Sequence, residues 1–260
     1  MNPYRQLRSL VGGCLRANPW TRGLLTSGPN YQVITLQEAR RQRKIAWHSV
    51  DAAARQDAAY RALIRQMRDG APRIDLTIAA QAVDQAGLAA PSLLEIGCGS
   101  GYYSEILGAL AKSNVGYTGI DYSAAMIEKA KKCYPSVTFE IGDATALRFG
   151  DASFDIVFNG VSLMHILDYE EAIAESARVA RKAAIFHSTP VFADHPTTFL
   201  RKKAYGGAMV EAVFNRDELL RCFARHGLHT TQSWNTIEYN VGAAVGSPSH
   251  AETFFCEKAS

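Results

Sequence analysis

Leu93-Leu94-Glu95-Ile96-Gly97-Cys98-Gly99-Ser100-Gly101 joins an aliphatic run to three alternating glycines. A run of this kind, ended by glycines, predicts a buried parallel strand followed by a tight turn. Glycine adopts positive φ easily and lets a ligand approach the main chain without a Cβ in the way. Residues 102–112 have helical spacing, so the turn leads into a helix N-terminus, whose unpaired N–H groups suit a carboxylate or a phosphate. The stretch therefore predicts a binding site for a small ligand.

The spacing of the glycines distinguishes between families of nucleotide site. A dinucleotide-binding loop has the pattern G-x-G-x-x-G, but the third position here is Tyr102, and no Gly-Lys-Ser/Thr follows as a P-loop requires. The pattern Glu-x-Gly-x-Gly-x-Gly instead resembles the first motif of class I S-adenosylmethionine (SAM)-dependent methyltransferases. The resemblance implies that SAM is the cofactor and S-adenosylhomocysteine the product. It also implies that the amino-acid end of SAM lies over the turn, at Glu95, Gly97, Cys98, Gly99 and Gly101.

A second apolar run, Val115 to Ile120, ends at Asp121. In doubly wound sheets an acid about 20 residues past the glycine turn, at the end of the second strand, hydrogen-bonds ribose hydroxyls. Asp121 could instead help Ser123 to cap the next helix with no ligand involved, but after the glycine motif the ligand interpretation is favoured. The adjacent Tyr122 either packs on one face of an adenine ring or is a half-exposed surface residue.

Two further strands end in polar residues that extend the resemblance. Val137 to Ile141 leads into Asp143 and Ala144, and the family uses an acid and the next N–H at this place to hold the adenine ring. Phe154 to Phe158 continues into Asn159, at the start of the segment that in the family closes over the methionine end of the cofactor. Four motifs of the family therefore occur in the expected order, each after a predicted strand. Together they indicate the family more specifically than any one motif does.

These segments, with Ala183 to Phe186 as a fifth strand and two C-terminal strands, predict an α/β fold with a doubly wound, mostly parallel sheet. The resemblance implies seven strands in the order 3-2-1-4-5-7-6, with strand 7 antiparallel, and added N-terminal helices. We expect residues 1–88 to form a helical extension that covers the site, and residues 89–260 to form the SAM-binding domain. The long stretch at about 190–214 is predicted to be a substrate lid, because loops of such length usually carry function or structure of their own.

Charge is uneven along the chain. Residues 1–70 contain 12 Lys/Arg and 4 Asp/Glu, and such a segment can face nucleic acid or a membrane. Its dense cluster, Arg40 to Lys44, is short, so solvated helices are favoured, with an anionic substrate group as the alternative. Residues 36–69 are predicted to be helical, with these positions buried: Ile45, Val50, Leu63, Ile64 and Met67.

Composition favours an ordinary globular protein. The hydrophobic content is 47%, and no apolar run approaches the roughly 18 residues of a membrane span. The five cysteines are scattered (Cys14, Cys98, Cys133, Cys222 and Cys256) and predict neither a disulfide framework nor a metal site. Without a secretory signal pattern, the chain is expected to be cytoplasmic, a mitochondrial transit segment being the lower-ranked alternative. We expect no nucleic-acid or membrane partner and consider a homodimer possible.

Two histidines are candidate catalytic residues. Methyl transfer from a sulfonium needs alignment and exclusion of water, and a general base only when the acceptor is an alcohol, a phenol or a protonated amine. His187, at the predicted tip of the fifth strand, and His165, after the fourth, lie on the expected ligand side of the sheet. Either could deprotonate an acceptor or only shape the pocket, and His195 in the predicted lid is a third candidate.

Motifs that the chain lacks argue against some classes of methyl acceptor. Asn159 is not followed by Pro-Pro-aromatic, which argues against DNA amino-methyltransferases, and no Pro-Cys pair suggests a cytosine C5 enzyme. A small-molecule acceptor such as a sugar, a phenol or a secondary metabolite is favoured, with O-methylation preferred over N-methylation. Two other classes stay open: a SAM-dependent enzyme of different chemistry, and a non-catalytic SAM-binding partner protein.

Overall fold

The structure, a computed structural model, describes residues 31–42, 50–204 and 207–259. The strands of this part of the chain are β1 (Gln32–Ile34), β2 (Ser92–Ile96), β3 (Gly116–Asp121), β4 (Thr138–Ile141), β5 (Phe154–Gly160), β6 (Ala180–Phe192), β7 (Thr198–Ala204), β8 (Gly207–Asn215), β9 (Leu228–Asn235) and β10 (Ser249–Lys258). Its helices are α1 (Leu36–Gln42), α2 (Val50–Arg68), α3 (Ile74–Asp84), α4 (Tyr102–Leu110), α5 (Ala124–Cys133), α6 (Tyr169–Val179), α7 (Arg216–Arg225) and α8 (Gly242–Val245), with a 3-10 turn at Leu163–His165.

Seven of the strands lie in the order β4-β3-β2-β5-β6-β10-β9. Strands β2 to β6 pair in parallel, and β10 runs antiparallel to both β6 and β9. This is the order 3-2-1-4-5-7-6 with an antiparallel seventh strand, so the predicted α/β fold is confirmed. The carboxyl ends of β2, β3, β4 and β5 meet at one edge of the sheet, where ligands bind in folds of this kind.

Both faces of the sheet are covered. Leu93 and Leu94 are successive residues of β2 and are fully buried, yet they belong to different apolar clusters. Because successive side chains of a strand point to opposite faces, the sheet has a core on each side. This explains why the strands read as continuous apolar runs rather than as an alternating pattern.

The sheet of the described residues has three strands more than the seven predicted. β7 and β8 form an antiparallel hairpin, and β1 pairs with β7. The stretch predicted as a lid at about 190–214 is therefore mostly β-structure that continues the sheet. The predicted end of the fifth strand at Phe186 is wrong, because β6 runs on to Phe192 and pairs there with the end of β8. An irregularity in its pairing with β10 precedes Pro190, whose missing N–H would otherwise predict the end of a strand.

The described part of the N-terminal segment, residues 31–42 and 50–88, is mainly helical and also contains β1. Leu63, Ile64 and Met67 are buried in α2, whereas Val50, its first residue, is 75% exposed, so that the prediction for Val50 is wrong. The predictions for Ile45 and for the end of the basic cluster, Arg43 and Lys44, lie outside the described residues. Helices α2 and α3 share one apolar cluster with the central strands, and the domain boundary at residue 88 stays a prediction.

Polar side chains cap two of the described helices, and the cap at Ser123 confirms the prediction from sequence. The Ser123 hydroxyl accepts from the Met126 N–H at 3.4 Å at the start of α5. The Asn215 side chain accepts from the Glu218 N–H at 2.9 Å at the start of α7. Of the helices in the described ranges, none has the length and hydropathy needed to cross a membrane.

Candidate functional site

The glycine turn lies at the carboxyl edge of the sheet, between β2 and α4. Its backbone is held against β3, because the N–H groups of Gly97 and Cys98 both donate to the carbonyl oxygen of Ile120, at 2.8 and 2.9 Å. Gly97 has φ +72°, and a Cβ there would lie 2.5 Å from the Cβ of Ser162, in the segment after β5. A larger residue at this position would displace that segment, so the turn requires glycine here.

A cavity of about 370 Å³ opens beside this turn. Its volume is in the roughly 300–1,000 Å³ range of small-molecule and cofactor sites. Six of the ten predicted cofactor residues line it, namely Gly97, Gly99, Asp121, Tyr122, Asp143 and Ala144. They come from three strand ends that are distant in sequence, and the parallel sheet brings those ends to one edge.

The other four predicted residues support the wall of the cavity but do not line it. Gly101 caps α4 at φ +81°, and a Cβ there would lie 2.5 Å from the Phe139 ring. Cys98 is buried against Gly119, and this burial raises the pKa of its thiol, which agrees with a filling role. The Asn159 side chain points away to α6, where its amide donates to the Ser176 hydroxyl at 3.3 Å. None of these three residues lines the cavity, and their contact with a cofactor stays a prediction.

Glu95, the fourth of them, is a fully buried carboxyl behind Gly160. Burial raises the pKa of Glu95 well above its usual value. The nearby Asp121 raises this pKa further, whereas the hydrogen bond from the Tyr117 hydroxyl lowers it. Its Oε1 atom has no hydrogen-bond partner among the described residues. Since Gly160 lines the cavity, an acceptor atom lies directly behind the wall.

Asp121 ends β3 with its carboxylate at the cavity. Its Oδ2 accepts from the Gly99 N–H and its Oδ1 from the Ser123 N–H, both at 2.9 Å. Each carboxylate oxygen has further lone pairs, so the same group can also accept from ligand hydroxyls. The two interpretations of Asp121 are therefore compatible, because it orders the glycine turn and the start of α5 while it faces the cavity.

Beside β4, the cavity is lined by the carboxylate of Asp143, the ring of Tyr122 and the apolar side chain of Met126. Asp143 Oδ1 accepts from the Thr145 N–H at 2.9 Å and from the Thr145 hydroxyl at 2.7 Å, which fixes the carboxylate in a turn. Tyr122 is 43% exposed at the rim. Met126, which also lines the cavity, was not predicted, although its position in the first turn of the helix after Asp121 could have indicated it.

Helix α2 covers the glycine turn and supplies two lining residues that sequence reasoning missed. Gln56 accepts from the Ser100 N–H at 3.1 Å, and the Tyr60 ring stacks on Tyr102 with centroids 3.4 Å apart. Both side chains line the cavity. Their i, i+4 spacing places them on one helix face, but nothing in the sequence shows which surface that face meets.

His165 lies in the 3-10 turn after β5 and lines the cavity. Its Nδ1 is 3.0 Å from the carbonyl oxygen of Val210. Because a carbonyl can only accept, Nδ1 carries the hydrogen and Nε2 the lone pair of the neutral ring. Burial lowers the pKa of His165, although Glu211 and the Val210 carbonyl oppose this effect. The ring is therefore neutral at neutral pH and has the tautomer of a general base.

His187 is not at a strand tip and does not line the cavity. It lies within β6, fully buried, with its ring 5.6 Å from that of Phe158 and its Nδ1 2.8 Å from the Thr253 hydroxyl. Burial lowers the pKa of His187 to about 4. These contacts are those of a core histidine, and its catalytic role stays a prediction. His195 lies in the loop after β6, where its Nδ1 is 2.9 Å from the Pro196 carbonyl oxygen, and does not line the cavity.

Comparison with known proteins agrees with this geometry. Residues 94–187 match a family model described as "Methyltransferase domain". The chain is 36% identical over 110 residues to the O-methyltransferase cnsE of Penicillium expansum, over 40% of this chain and 39% of that protein. This match, like those to the next curated relatives, spans less than two thirds of the relative's length.

Solved methyltransferase structures share the fold at low sequence identity. The 1,6-didemethyltoxoflavin-N1-methyltransferase of Burkholderia thailandensis matches with 17% identity and a TM-score of 0.53, over 83% of this chain and 91% of that one. The geranyl diphosphate C-methyltransferase of Streptomyces coelicolor A3(2) matches with 14% identity and a TM-score of 0.55, over 70% and 75%. The resemblance predicted from the glycine motif is confirmed.

Proposed function

We propose that this chain, whose residues 94–187 form a methyltransferase domain of the SAM-dependent class I type, transfers a methyl group from SAM to an oxygen atom of a small molecule. One observation carries the proposal: the cavity that the glycine turn, Asp121 and Asp143 line is also lined by His165. The relative cnsE is an O-methyltransferase, which supports oxygen. The N1- and C-methyltransferases of the same fold show that the fold alone does not select the nucleophile.

The lining residues fit SAM part by part. Asp121 has lone pairs for the ribose hydroxyls, and Asp143 with the Ala144 N–H suits the edge of an adenine ring. Gly97 and Gly99 leave the main chain open to the amino-acid end. Glu95 Oε1, without a partner among the described residues, offers an acceptor near that end for an ammonium group.

When bound, SAM supplies an electrophilic methyl group on a sulfonium. The chain itself has to exclude water, align the acceptor and receive a proton. Gln56 and Tyr60 of α2 cover the cavity beside the glycine turn. His165 Nε2 takes the proton of the acceptor hydroxyl, and the Val210 carbonyl oxygen, which accepts from Nδ1–H, stabilises the imidazolium that forms. Because the pKa of His165 is lowered, we expect turnover to fall only below the usual histidine pKa of about 6.5.

Calorimetry with SAM tests the cofactor part of the proposal. Loss of two charge-assisted hydrogen bonds in Asp121→Ala predicts about 100-fold weaker binding. The matched control is Asp155→Ala, which removes a carboxylate that accepts from the Ser92 N–H at 2.9 Å at the opposite edge of the sheet. Equal SAM affinity in Asp121→Ala and wild type would contradict the proposal.

Formation of S-adenosylhomocysteine from SAM with a panel of phenols and sugars tests the transfer itself. We expect His165→Gln to lower kcat at least 100-fold and to leave the Kd for SAM within twofold of wild type, whereas His187→Gln retains turnover. SAM binding without any transfer would instead favour a non-catalytic partner protein or another chemistry.

A further inference from the structure

A second, smaller chamber of about 70 Å³ adjoins the large cavity. Tyr60, Val161 and His165 line both spaces, whereas Asp121 and Asp143 line only the large one. The chamber thus begins at the proposed base, on the side away from the residues assigned to adenosine. This position is the one that part of a methyl acceptor would occupy.

Two ion pairs border the chamber, each joining a partly buried cation to a buried carboxylate. Arg73 donates from Nε and Nη2 to the two carboxylate oxygens of Asp75, both at 2.6 Å. The Lys202 ammonium of β7 lies 2.7 Å from Glu211 Oε2 of β8. Arg73, Asp75 and Lys202 line the chamber and Glu211 does not, so two cations and one anion face this space.

Both cations keep N–H groups for a ligand. A guanidinium has five N–H groups, and in the described part of the chain no acceptor is assigned to Nη1 of Arg73. The ammonium has three, of which Glu211 takes one and the Tyr31 hydroxyl, at 3.4 Å, another. Burial alone would lower the pKa of Lys202, but Glu211 and Tyr31 outweigh it and the pKa is raised, so Lys202 stays charged.

Backbone strain at the chamber is a separate observation. Within the described residues, three non-glycine residues have positive φ, and two of them, Val161 at +60° and Ser188 at +48°, line the chamber. A β-branched residue in this conformation is a true outlier, and strain of this kind gathers at functional sites.

We propose that the chamber binds a carboxylate group of the methyl acceptor through Arg73 and Lys202, an inference that rests on the proposed function. The volume of about 70 Å³ is roughly half of the 150 Å³ of an apolar cavity that binds benzene. The chamber therefore suits a group smaller than an aromatic ring, and the body of the acceptor stays in the large cavity beside His165. Asp75 and Glu211 are positioning residues that hold the two cations.

The test compares benzoate with benzamide, which have nearly the same shape and differ in charge. Binding to the full chain is measured by calorimetry with and without S-adenosylhomocysteine. We expect benzoate to bind at least tenfold more tightly than benzamide. This preference should fall below twofold in the double variant Lys202→Met with Glu211→Gln, which leaves no unpaired buried charge. The control Lys203→Met changes the exposed next residue of the same strand and keeps the preference.

Equal binding of benzoate and benzamide, or a preference that the double variant retains, would overturn the proposal. SAM binding is measured on the same preparations to separate the two proposals. SAM binding without a benzoate preference removes the carboxylate site and leaves the methyltransferase. A Lys202-dependent preference in a protein that does not bind SAM removes the methyltransferase function, and with it the assignment of the carboxylate to an acceptor.

Discussion

The large cavity and the small chamber share three lining residues but are built in different ways. The large cavity is bounded by glycines, backbone N–H groups and single carboxylates at the ends of successive strands. The small chamber is bounded by charged side chains of two ion pairs, Arg73 and Asp75 at the start of α3 and Lys202 of the β7–β8 hairpin. Substitutions should therefore act through backbone conformation in the first and through uncompensated charge in the second.

The largest effect is expected in the chamber. In Glu211→Leu the buried Lys202 ammonium loses its counter-ion, which should lower the free energy of unfolding by about 3–5 kcal/mol. The double variant Lys202→Met with Glu211→Leu should regain most of this loss. The exposed pair Arg225–Glu170 is the matched control, since Glu170→Gln should cost about 0.5 kcal/mol or less. Urea denaturation measures all three, and a double variant no more stable than the single one would contradict the comparison.

His187 tests whether the core behind both spaces responds to pH. Its pKa is about 4 in the fold and about 6.5 in the unfolded chain. Between these values the unfolded state binds more protons, so stability is lost as the pH falls. Wild type should lose about 3 kcal/mol more than His187→Gln between pH 7 and pH 4, as measured by urea denaturation at each pH. Equal pH dependence of the two proteins, or weaker SAM binding in the variant, would argue against a core role.

Gly97 tests the backbone side of the comparison. Alanine at φ +72° should cost about 1–2 kcal/mol for the left-handed conformation alone, and its Cβ should also shift the Ser162 segment and weaken SAM binding. Gly108 in α4 is the control, because a Cβ there meets no atom within 4 Å and Gly108→Ala should stabilise by about 0.5–1 kcal/mol. Thermal melts should show a lower Tm for Gly97→Ala and a higher Tm for Gly108→Ala. SAM titration should show weaker binding for Gly97→Ala than for Gly108→Ala.

The smallest effect is expected at Val161, where the two spaces meet. At φ +60° glycine is unstrained and alanine is not, so Val161→Gly should be about 1 kcal/mol more stable than Val161→Ala. This order is the reverse of that at an ordinary strand position. If Val161→Ala proves the more stable by chemical denaturation, the strain argument for the chamber fails.

The parts of the site that could be predicted are those made by short segments. Asp121 and Asp143 follow apolar runs directly, so their place at the sheet edge follows from the parallel fold. The same reasoning failed for His187, because the fifth strand was predicted to end at Phe186, whereas β6 continues along β10 to Phe192. Gln56, Tyr60 and Lys202 could not be assigned to the site, because their roles depend on where α2 and the hairpin pack.

The sequence by itself determined the central strands and the glycine turn, since strand and turn signals depend on residues adjacent in the chain. The order of the strands was implied by the resemblance to class I methyltransferases. The sequence also indicated that Asp121 and Asp143 face the large cavity. Only the tertiary structure decided that His165 rather than His187 reaches that cavity, and that Arg73 and Lys202 meet beside it. The reason is that burial, and the meeting of Arg73 with Lys202 around one chamber, depend on the packing of segments that are distant in the chain, and such packing leaves no periodic signal in the sequence.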